Sequence, residues 1–167
     1  MISFRLFVLT CLLSCCLSSC KYSLGGVSVP PDVKTFLVDD FEITASNAPA
    51  TINVQFTEAL RNQIRDQARL KDAVIDPDIE FRGAVTGYNV SAEAPEQGET
   101  VGFNRLTIAV RVEYYSNLND TEIFSKSFSE FEDFDNTENL LSIQDDLIDD
   151  IFENLVDRVF REAFANW

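Results

Sequence analysis

The chain has 167 residues, with 13 lysines and arginines against 28 aspartates and glutamates and a formal net charge of −15. A chain this acidic lacks the basic footprint that binding to nucleic acid phosphates requires, which excludes nucleic acid as a partner. It also contains no histidine, so the commonest general base and zinc ligand is missing.

Residues 1–19 have the pattern of a secretory signal peptide. Arg5 gives a weakly positive start, residues 6–13 are mostly apolar, small residues follow, and the chain turns polar at Lys21. An apolar stretch of this length is too short to span a membrane as a helix. We therefore expect residues 1–19 to direct export and to be removed.

The signal ends in a bacterial lipobox, the stretch Leu17-Ser18-Ser19-Cys20. In such a motif the thiol is acylated before the preceding peptide bond is cut, so the sequence predicts a lipid on Cys20. An ordinary signal that happens to hold cysteines is the alternative, because Cys11, Cys15 and Cys16 lie nearby. The lipobox is favoured because Cys20 alone combines these neighbours with a polar boundary just behind it.

Cleavage before Cys20 would remove 19 of 167 residues and leave 148, enough for one domain with a substantial core. The 13 basic residues would lose Arg5, leaving 12 against 28 acidic ones and a charge of −16. Because Cys20 would carry the lipid, the mature chain has no thiol for a disulfide, a metal or a nucleophile, and we expect no cofactor. Residues 20–32, with two adjacent glycines and two adjacent prolines, read as a lipidated tether, and residues 33–167 as a single domain.

Two elements are predicted in the first half of that domain. The segment from Lys34 to Phe41 is rich in β-branched and aromatic residues, which favours a strand. From Thr51 the period changes to four, which predicts an amphipathic helix with one buried stripe. The stripe consists of Ile52, Phe56, Leu60, Ile64 and Ala68.

Three strands and a helix are predicted in the second half. The second strand begins at Ile79, with a bulge expected at Gly87. The third alternates strictly between Arg105 and Tyr114, which predicts one buried and one wet face. The fourth spans 121–131, but its inward set is ambiguous because its aromatic residues disagree in phase. The last helix runs from about Leu140 to Phe164, with Ser142 as a possible capping residue and two adjacent apolar rows.

The element order is therefore β-α-β-β-β-α. The first helix is a crossover, so the first two strands should be parallel, and the later strands should pair as antiparallel hairpins. Both helices must bury a stripe while one sheet face stays polar. The sequence thus predicts an α+β fold, a two-layer sandwich with a four-stranded mixed sheet and two helices on one face.

The sequence offers no catalytic constellation, and we expect the protein not to be an enzyme. The acidic run around Asp145, Asp146, Asp149 and Asp150 fits the solvated face of an amphipathic helix. The segment 133–137 begins like a calcium loop but lacks the glycine at the sixth position and the glutamate at the twelfth. No metal site is therefore expected.

The polar sheet face is the better candidate for function. If the second and third strands pair, Arg82, Arg105 and Arg111 project from the same side, together with Lys126 from the fourth strand. Such a cluster suits a phosphate or a carboxylate ligand. The alternative is that these cations pair with glutamates on neighbouring strands, which serves the sheet and leaves no ligand site.

Several segments of the chain resemble the LptE family of lipopolysaccharide-assembly lipoproteins, in the form found in Bacteroidetes. The resemblance covers essentially the whole mature chain in order. The segments are the lipobox with Tyr22-Ser23, then 26–35, 56–61, 83–88, 104–108, 127–129, 133–135 and the terminal Asn166-Trp167.

This resemblance implies a function. LptE-like proteins sit in the lumen of the outer-membrane β-barrel LptD, as plug and assembly partner during lipopolysaccharide delivery to the outer leaflet. The resemblance also implies lipopolysaccharide contact through basic residues, which in so acidic a chain must be local, with Arg105 and Arg111 as the first candidates. The tether has no acidic run after Cys20, which favours an outer-membrane anchor facing the periplasm over surface export.

Two other functions remain open at this point. One is a generic envelope adaptor that binds a protein or peptide at an exposed sheet edge. The other is a carboxylate-dependent hydrolase of envelope glycans, since glycosidase chemistry needs only two acids.

Overall fold

A computed structural model describes residues 29–94 and 102–164. Within these residues it contains six strands and two α-helices, and the first helix continues into a π-helical turn. The elements in chain order are β1 Thr35–Val38, β2 Glu42–Ile43, α1 Ile52–Gln63, the π turn Ile64–Ala68, β3 Lys71–Asp72, β4 Ile79–Glu93, β5 Phe103–Ser116, β6 Thr121–Asp135 and α2 Leu140–Phe164.

All six strands of the described residues form one sheet, in the order β3-β1-β4-β5-β6, with β2 also on β4. As predicted, β1 runs parallel to β4, and β4, β5 and β6 form antiparallel pairs. The predicted number of four strands is too low. The extra strands, β2 and β3, have two residues each, which is too short to show an alternating pattern in sequence.

One apolar core lies between the sheet and the helices, which confirms the two-layer α+β class. The predicted inward set of the central strand β5 is fully buried. The stripe of α1 is buried at its first four positions, and Phe56 packs edge-on against Phe41 and against Phe152 of α2. Both helices therefore cover the same sheet face. The inward set of β5 is Leu106, Ile108, Val110, Val112 and Tyr114.

The long helix α2 buries both of its predicted rows over most of its length. Its start differs from the prediction: Asn139, not Ser142, is the cap, and its Oδ1 accepts the Leu141 N–H at 3.0 Å. Asparagine directly before the first helical residue is among the preferred capping residues. Among the described residues, neither helix combines the length and the hydropathy that a membrane crossing needs.

Two bulges set the phase of the outer strands. In β4 the register shifts between Val85 and Gly87, where a bulge was predicted. In β6 it shifts at Ile123, which the sequence did not predict. The second bulge resolves the ambiguous phase: Phe124, Phe128 and Phe134 point towards the helices, and Ile123 and Phe131 stay exposed.

Candidate binding surfaces

The sheet face that points away from the helices, here called the polar face, carries three of the four predicted basic residues. Arg82 of β4 lies opposite Glu113, next to Arg111 on β5. Arg105 lies on the same strand as Arg111 but six residues away, which is about 20 Å along an extended chain. The structure therefore brings Arg82 and Arg111 together and separates Arg105 from them.

Arg82 and Arg111 border a shallow depression of about 290 Å³. The Arg82 guanidinium lies 4.0 Å above the centre of the Tyr115 ring, and its Nε is 3.4 Å from Glu113 Oε2. Arg111 contacts Glu113 at 3.6 Å and donates to Ser125 Oγ at 2.9 Å. Hydrogen bonding, first to Tyr115, raises the pKa of Arg82 above its usual value.

The depression is nevertheless acidic. Its lining contains four carboxylates against two guanidinium groups, so its net charge is negative. A bound anion would have to compete with Glu113, which already contacts both arginines. The four carboxylates belong to Asp39, Asp40, Glu42 and Glu113.

Arg105 is held at the other end of the polar face by a bidentate pair. Its Nε and Nη2 donate to the two carboxylate oxygens of Asp133 at 2.7 and 2.8 Å. Its guanidinium also lies 3.8 Å above the centre of the Phe131 ring. The Arg105 guanidinium lowers the pKa of Asp133, and the Asp133 carboxylate raises the pKa of Arg105. Cross-strand pairing, the alternative raised from the sequence, thus describes Arg82 and Arg105, whereas Arg111 contacts Glu113 of its own strand.

Lys126 does not share the polar face, contrary to the expectation. The bulge at Ile123 puts Lys126 in phase with Phe124 and Phe128, on the helix side of β6. There its ammonium pairs with Glu162 of α2. Arg158 of α2 reaches back to Glu130 of the same strand, so these pairs attach the helix to the edge of the sheet.

A second cavity, which the sequence did not reveal, lies where the chain enters the domain. We call it the tether groove; it has a volume of about 580 Å³. Three exposed cations line it, Lys34, Arg69 and Lys71, and its lining contains no carboxylate. Lys34 is far in sequence from Arg69 and Lys71, and the β1–β3 pairing that joins the two segments involves a strand too short to predict.

The carboxylates considered from the sequence form no metal site or paired catalytic acids within the described residues. No group of three or more metal-ligating side chains that could hold a metal ion occurs within 29–94 and 102–164. Asp135, in the segment that begins like a calcium loop, accepts hydrogen bonds from the backbone and side chain of Thr137, which lower its pKa. Asp145, Asp146, Asp149 and Asp150 are exposed on α2.

Comparison with known proteins gives a family match and a set of distant structural matches. The model of the LptE family, described as lipopolysaccharide-assembly, matches residues 33–163. No curated protein matches the chain.

Solved structures of similar fold come from several bacteria. A hypothetical protein from Chlamydia trachomatis has a TM-score of 0.55 at 8% identity, over 77% of this chain and 96% of its own. A protein described as a neuraminyllactose-binding hemagglutinin homolog from Helicobacter pylori has 0.56 at 9%, over 84% and 91%. A Xanthomonas campestris protein has 0.51 at 13%, over 83% and 88%. At these identities the matches show the fold alone.

Proposed function

The chain belongs to the LptE family of lipopolysaccharide-assembly lipoproteins, and we propose from this membership that it plugs the lumen of the LptD translocon barrel and assists the assembly of that barrel. The family is envelope-associated and non-catalytic, and it works with the lipopolysaccharide transport machinery. The observation that carries the finer proposal is the polar face, a long sheet surface whose three arginines each have a carboxylate partner within the protein.

A paired polar surface suits the interior of a barrel. The lumen of an outer-membrane barrel is wet and polar, so a plug must present polar groups without leaving unmatched charges against the wall. Arg82, Arg105 and Arg111 supply hydrogen-bonding groups on the polar face, and each of these arginines already has a carboxylate partner. The strands that carry this face have 14 to 15 residues each, and their close pairing makes it rigid.

We further propose that Cys20 carries the lipid that holds the protein on the periplasmic side of the outer membrane. Residues 1–28, which include the predicted signal and most of the tether, lie outside the described residues, so support comes from the lipobox. Each buried CH₂ of an acyl chain contributes about 0.8 kcal/mol, so several chains give lasting attachment.

Lipopolysaccharide contact through the basic residues would require each of them to exchange its present partner. Each of the four candidate residues, Arg82, Arg105, Arg111 and Lys126, has a carboxylate within 4.0 Å. Contact with a phosphate would therefore exchange one anion for another. Arg111 is the most available of the four, because its side chain is 56% exposed and its only ion pair with a described residue is 3.6 Å long.

Co-purification tests the proposal. The full-length chain with a C-terminal tag is extracted from native membranes in mild detergent, and its partners are identified by mass spectrometry. We expect a large outer-membrane barrel protein to co-purify, and mass spectrometry of the protein to show acyl chains on Cys20. A Cys20→Ser variant should lose the acyl chains and the membrane attachment. Failure of the wild-type protein to bring down any barrel would contradict the proposal.

The unpaired outer edge of β6 favours the adaptor function as a second candidate. The outer edge of β6, a strand of 15 residues, pairs with no other strand among the described residues, and Ile123 and Phe131 are exposed along it. Such an edge can accept an extended peptide as an added strand. Depletion separates the two functions, because loss of an adaptor leaves surface lipopolysaccharide normal, whereas loss of an assembly partner lowers it.

A further inference from the structure

The cations of the described residues fall into two groups. Of the eleven lysines and arginines in residues 29–94 and 102–164, eight have a carboxylate oxygen within 4.0 Å and three have none there. The three without such a partner are Lys34, Arg69 and Lys71, and all three line the tether groove. The eight paired cations are Arg61, Arg65, Arg82, Arg105, Arg111, Lys126, Arg158 and Arg161.

The fold brings these three cations together from two separate segments. The backbone N–H of Lys71 donates to the carbonyl oxygen of Lys34 at 3.1 Å, which places β3 beside the start of β1. Arg69 ends the helical segment in a left-handed conformation, with φ 56°, two residues before Lys71. The rest of the lining is apolar apart from Thr35, and Val29 and Pro30 form part of it.

Two acidic groups near the groove have partners of their own, while Asp32, between the lining residues Pro31 and Val33, is exposed. Asp78 lies beside Lys34, but its Oδ2 accepts the backbone N–H groups of Lys34 and Thr35, each at 2.8 Å. Asp72, next to Lys71, lies 3.8 Å from Arg61 and 3.6 Å from Arg65. The lining itself thus carries three cations and no carboxylate, in a chain that is strongly acidic as a whole.

The groove also lies close to the proposed anchor. Val29 follows Cys20 by nine residues, so even a fully extended tether places it within about 30 Å of the lipid. We propose that the tether groove binds the headgroup phosphates of anionic phospholipids in the leaflet that holds the anchor. This inference rests on the anchor in the proposed function and is independent of the barrel.

The position of the acidic first half of α2 supports this orientation, although Asp76 and Asp120 lie at the groove end of the sheet. The sheet register puts the starts of β1 and β4 at the groove end, and Glu93, Phe103 and Asp135 together at the other end. The two ends are roughly 50 Å apart for a strand of this length. The acidic first half of α2 follows the far end. Docking through the groove therefore keeps the carboxylates in the first half of α2 away from an anionic bilayer, at a distance well above the Debye length of about 8 Å.

The chemistry of the groove matches a lipid headgroup. Ammonium and guanidinium groups make charge-assisted hydrogen bonds to phosphate oxygens, and the apolar side chains beside them suit the boundary between headgroups and acyl chains. Each lysine or arginine held near an anionic surface favours contact about fivefold. Three together therefore favour contact by roughly a hundredfold in an otherwise repelled protein.

Lysine reactivity tests the inference. The protein is expressed from its full-length sequence, purified from membranes and reconstituted into vesicles of phosphatidylcholine alone or phosphatidylcholine with phosphatidylglycerol. Reductive methylation of each lysine is then followed by mass spectrometry. With phosphatidylglycerol, we expect methylation of Lys34 and Lys71 to slow about fivefold or more, with the protection lost at high salt. Lys126, paired with Glu162, serves as the internal control and should not change.

Two variants sharpen the test. Arg69→Gln should weaken the protection of Lys34 and Lys71, because it removes one phosphate ligand from the groove. Arg161→Gln, which removes an exposed cation on α2 with a local partner, should leave the protection intact.

Three results would overturn the inference. They are equal methylation of the groove lysines in both kinds of vesicle, equal protection of Lys126, and protection of the groove lysines that persists at high salt. A protein absent from membranes would overturn the anchor and the inference together. Failure of the barrel proposal is seen separately, because a protein with protected lysines that brings down no barrel contradicts only that proposal.

Discussion

The polar face and the tether groove present the same kind of side chain in opposite electrostatic states. On the polar face, Arg105 donates to both carboxylate oxygens of Asp133 and lies over the Phe131 ring. In the groove, Arg69 and Lys71 have no carboxylate of the described residues within 4.0 Å. Clustered basic residues therefore do not by themselves mark an anion site; what matters is whether neighbouring strands supply a counter-charge.

The difference follows from how each surface is built. On the polar face the antiparallel register sets β5 residues opposite those of its neighbours, so that Glu113 faces Arg82 and Asp133 faces Arg105. Opposite charges in such positions stabilise a sheet. The groove instead forms where the short edge strand β3 and a left-handed turn meet the incoming chain. No strand lies beyond β3 in the described sheet to supply a facing carboxylate.

The largest effect is expected from disturbing the register of the polar face. A Cβ atom at Gly83 would lie 1.9 Å from the carbonyl oxygen of Arg111. Gly83→Ala must therefore push β4 and β5 apart beside Arg82, and should lower the free energy of unfolding by about 3 kcal/mol or more. Urea denaturation measures the loss.

Gly87→Ala is the matched control for that substitution. The added Cβ atom meets the Ala109 Cβ at 3.0 Å and no backbone atom closer than 3.6 Å. We expect a cost of about 1 kcal/mol at most, since a small shift of one methyl group relieves the contact. Equal costs for the two variants would show that the close approach at Gly83 does not define the β4–β5 register.

A smaller effect is expected where the groove joins the sheet. Asp78→Ala removes the acceptor for the backbone N–H groups of Lys34 and Thr35 at the start of β1, and should cost about 2 kcal/mol in unfolding free energy. Lys34→Gln is the control: if Asp78 serves the backbone and not the ammonium, this variant stays within about 0.5 kcal/mol of the wild type. Comparable losses from both variants would mean that Lys34 has a partner, and the comparison between the surfaces would fail.

The pH dependence of stability checks the same contact. Hydrogen bonds from the backbone, first from Lys34, lower the pKa of Asp78 below its ordinary value of 3.8. A carboxyl group with a lowered folded-state pKa stabilises the protein fully above its unfolded pKa, and this stabilisation is lost as the pH falls through the folded value. In acid titrations between pH 5 and about pH 2, Asp78→Asn should flatten this loss of stability. An unchanged slope would contradict the contact.

Sequence patterns predicted the central part of the fold and failed at its edges for physical reasons. Strand β5 is buried on one face and wet on the other, so its alternation appears directly in the sequence. Strand β6 lies at the edge of the sheet, and a single bulge at Ile123 shifts the residues before it out of phase. No local signal marks that bulge, and the misplacement of Lys126 follows from it.

The two candidate surfaces differ in the same way. The arginines of the polar face lie on long strands, so their shared side could be predicted from the alternation, although their carboxylate partners could not be assigned without the register. The groove depends on Thr35 lying opposite Lys71, a pairing of two segments far apart in sequence. That pairing has no signature in a strand of two residues.

The smallest expected effect compares charge removal on the two surfaces directly. Arg105→Gln removes the bidentate pair with Asp133 and the contact with Phe131, so it should lower the urea midpoint modestly, by less than Asp78→Ala does. It should also let the pKa of Asp133 return towards its ordinary value, since the guanidinium is the main cause of the lowering. The pair stabilises the protein above pH 3.8 and ceases to do so as the pH falls through the folded pKa of Asp133, so the variant should lose that part of the acid dependence.

Arg69→Gln removes a cation that lies near two like charges, and should leave the urea midpoint unchanged or slightly raised. A loss from Arg69→Gln as large as that from Arg105→Gln would show that the groove cation stabilises the native fold, and that its lack of a carboxylate partner is not a sign of an unoccupied ligand site.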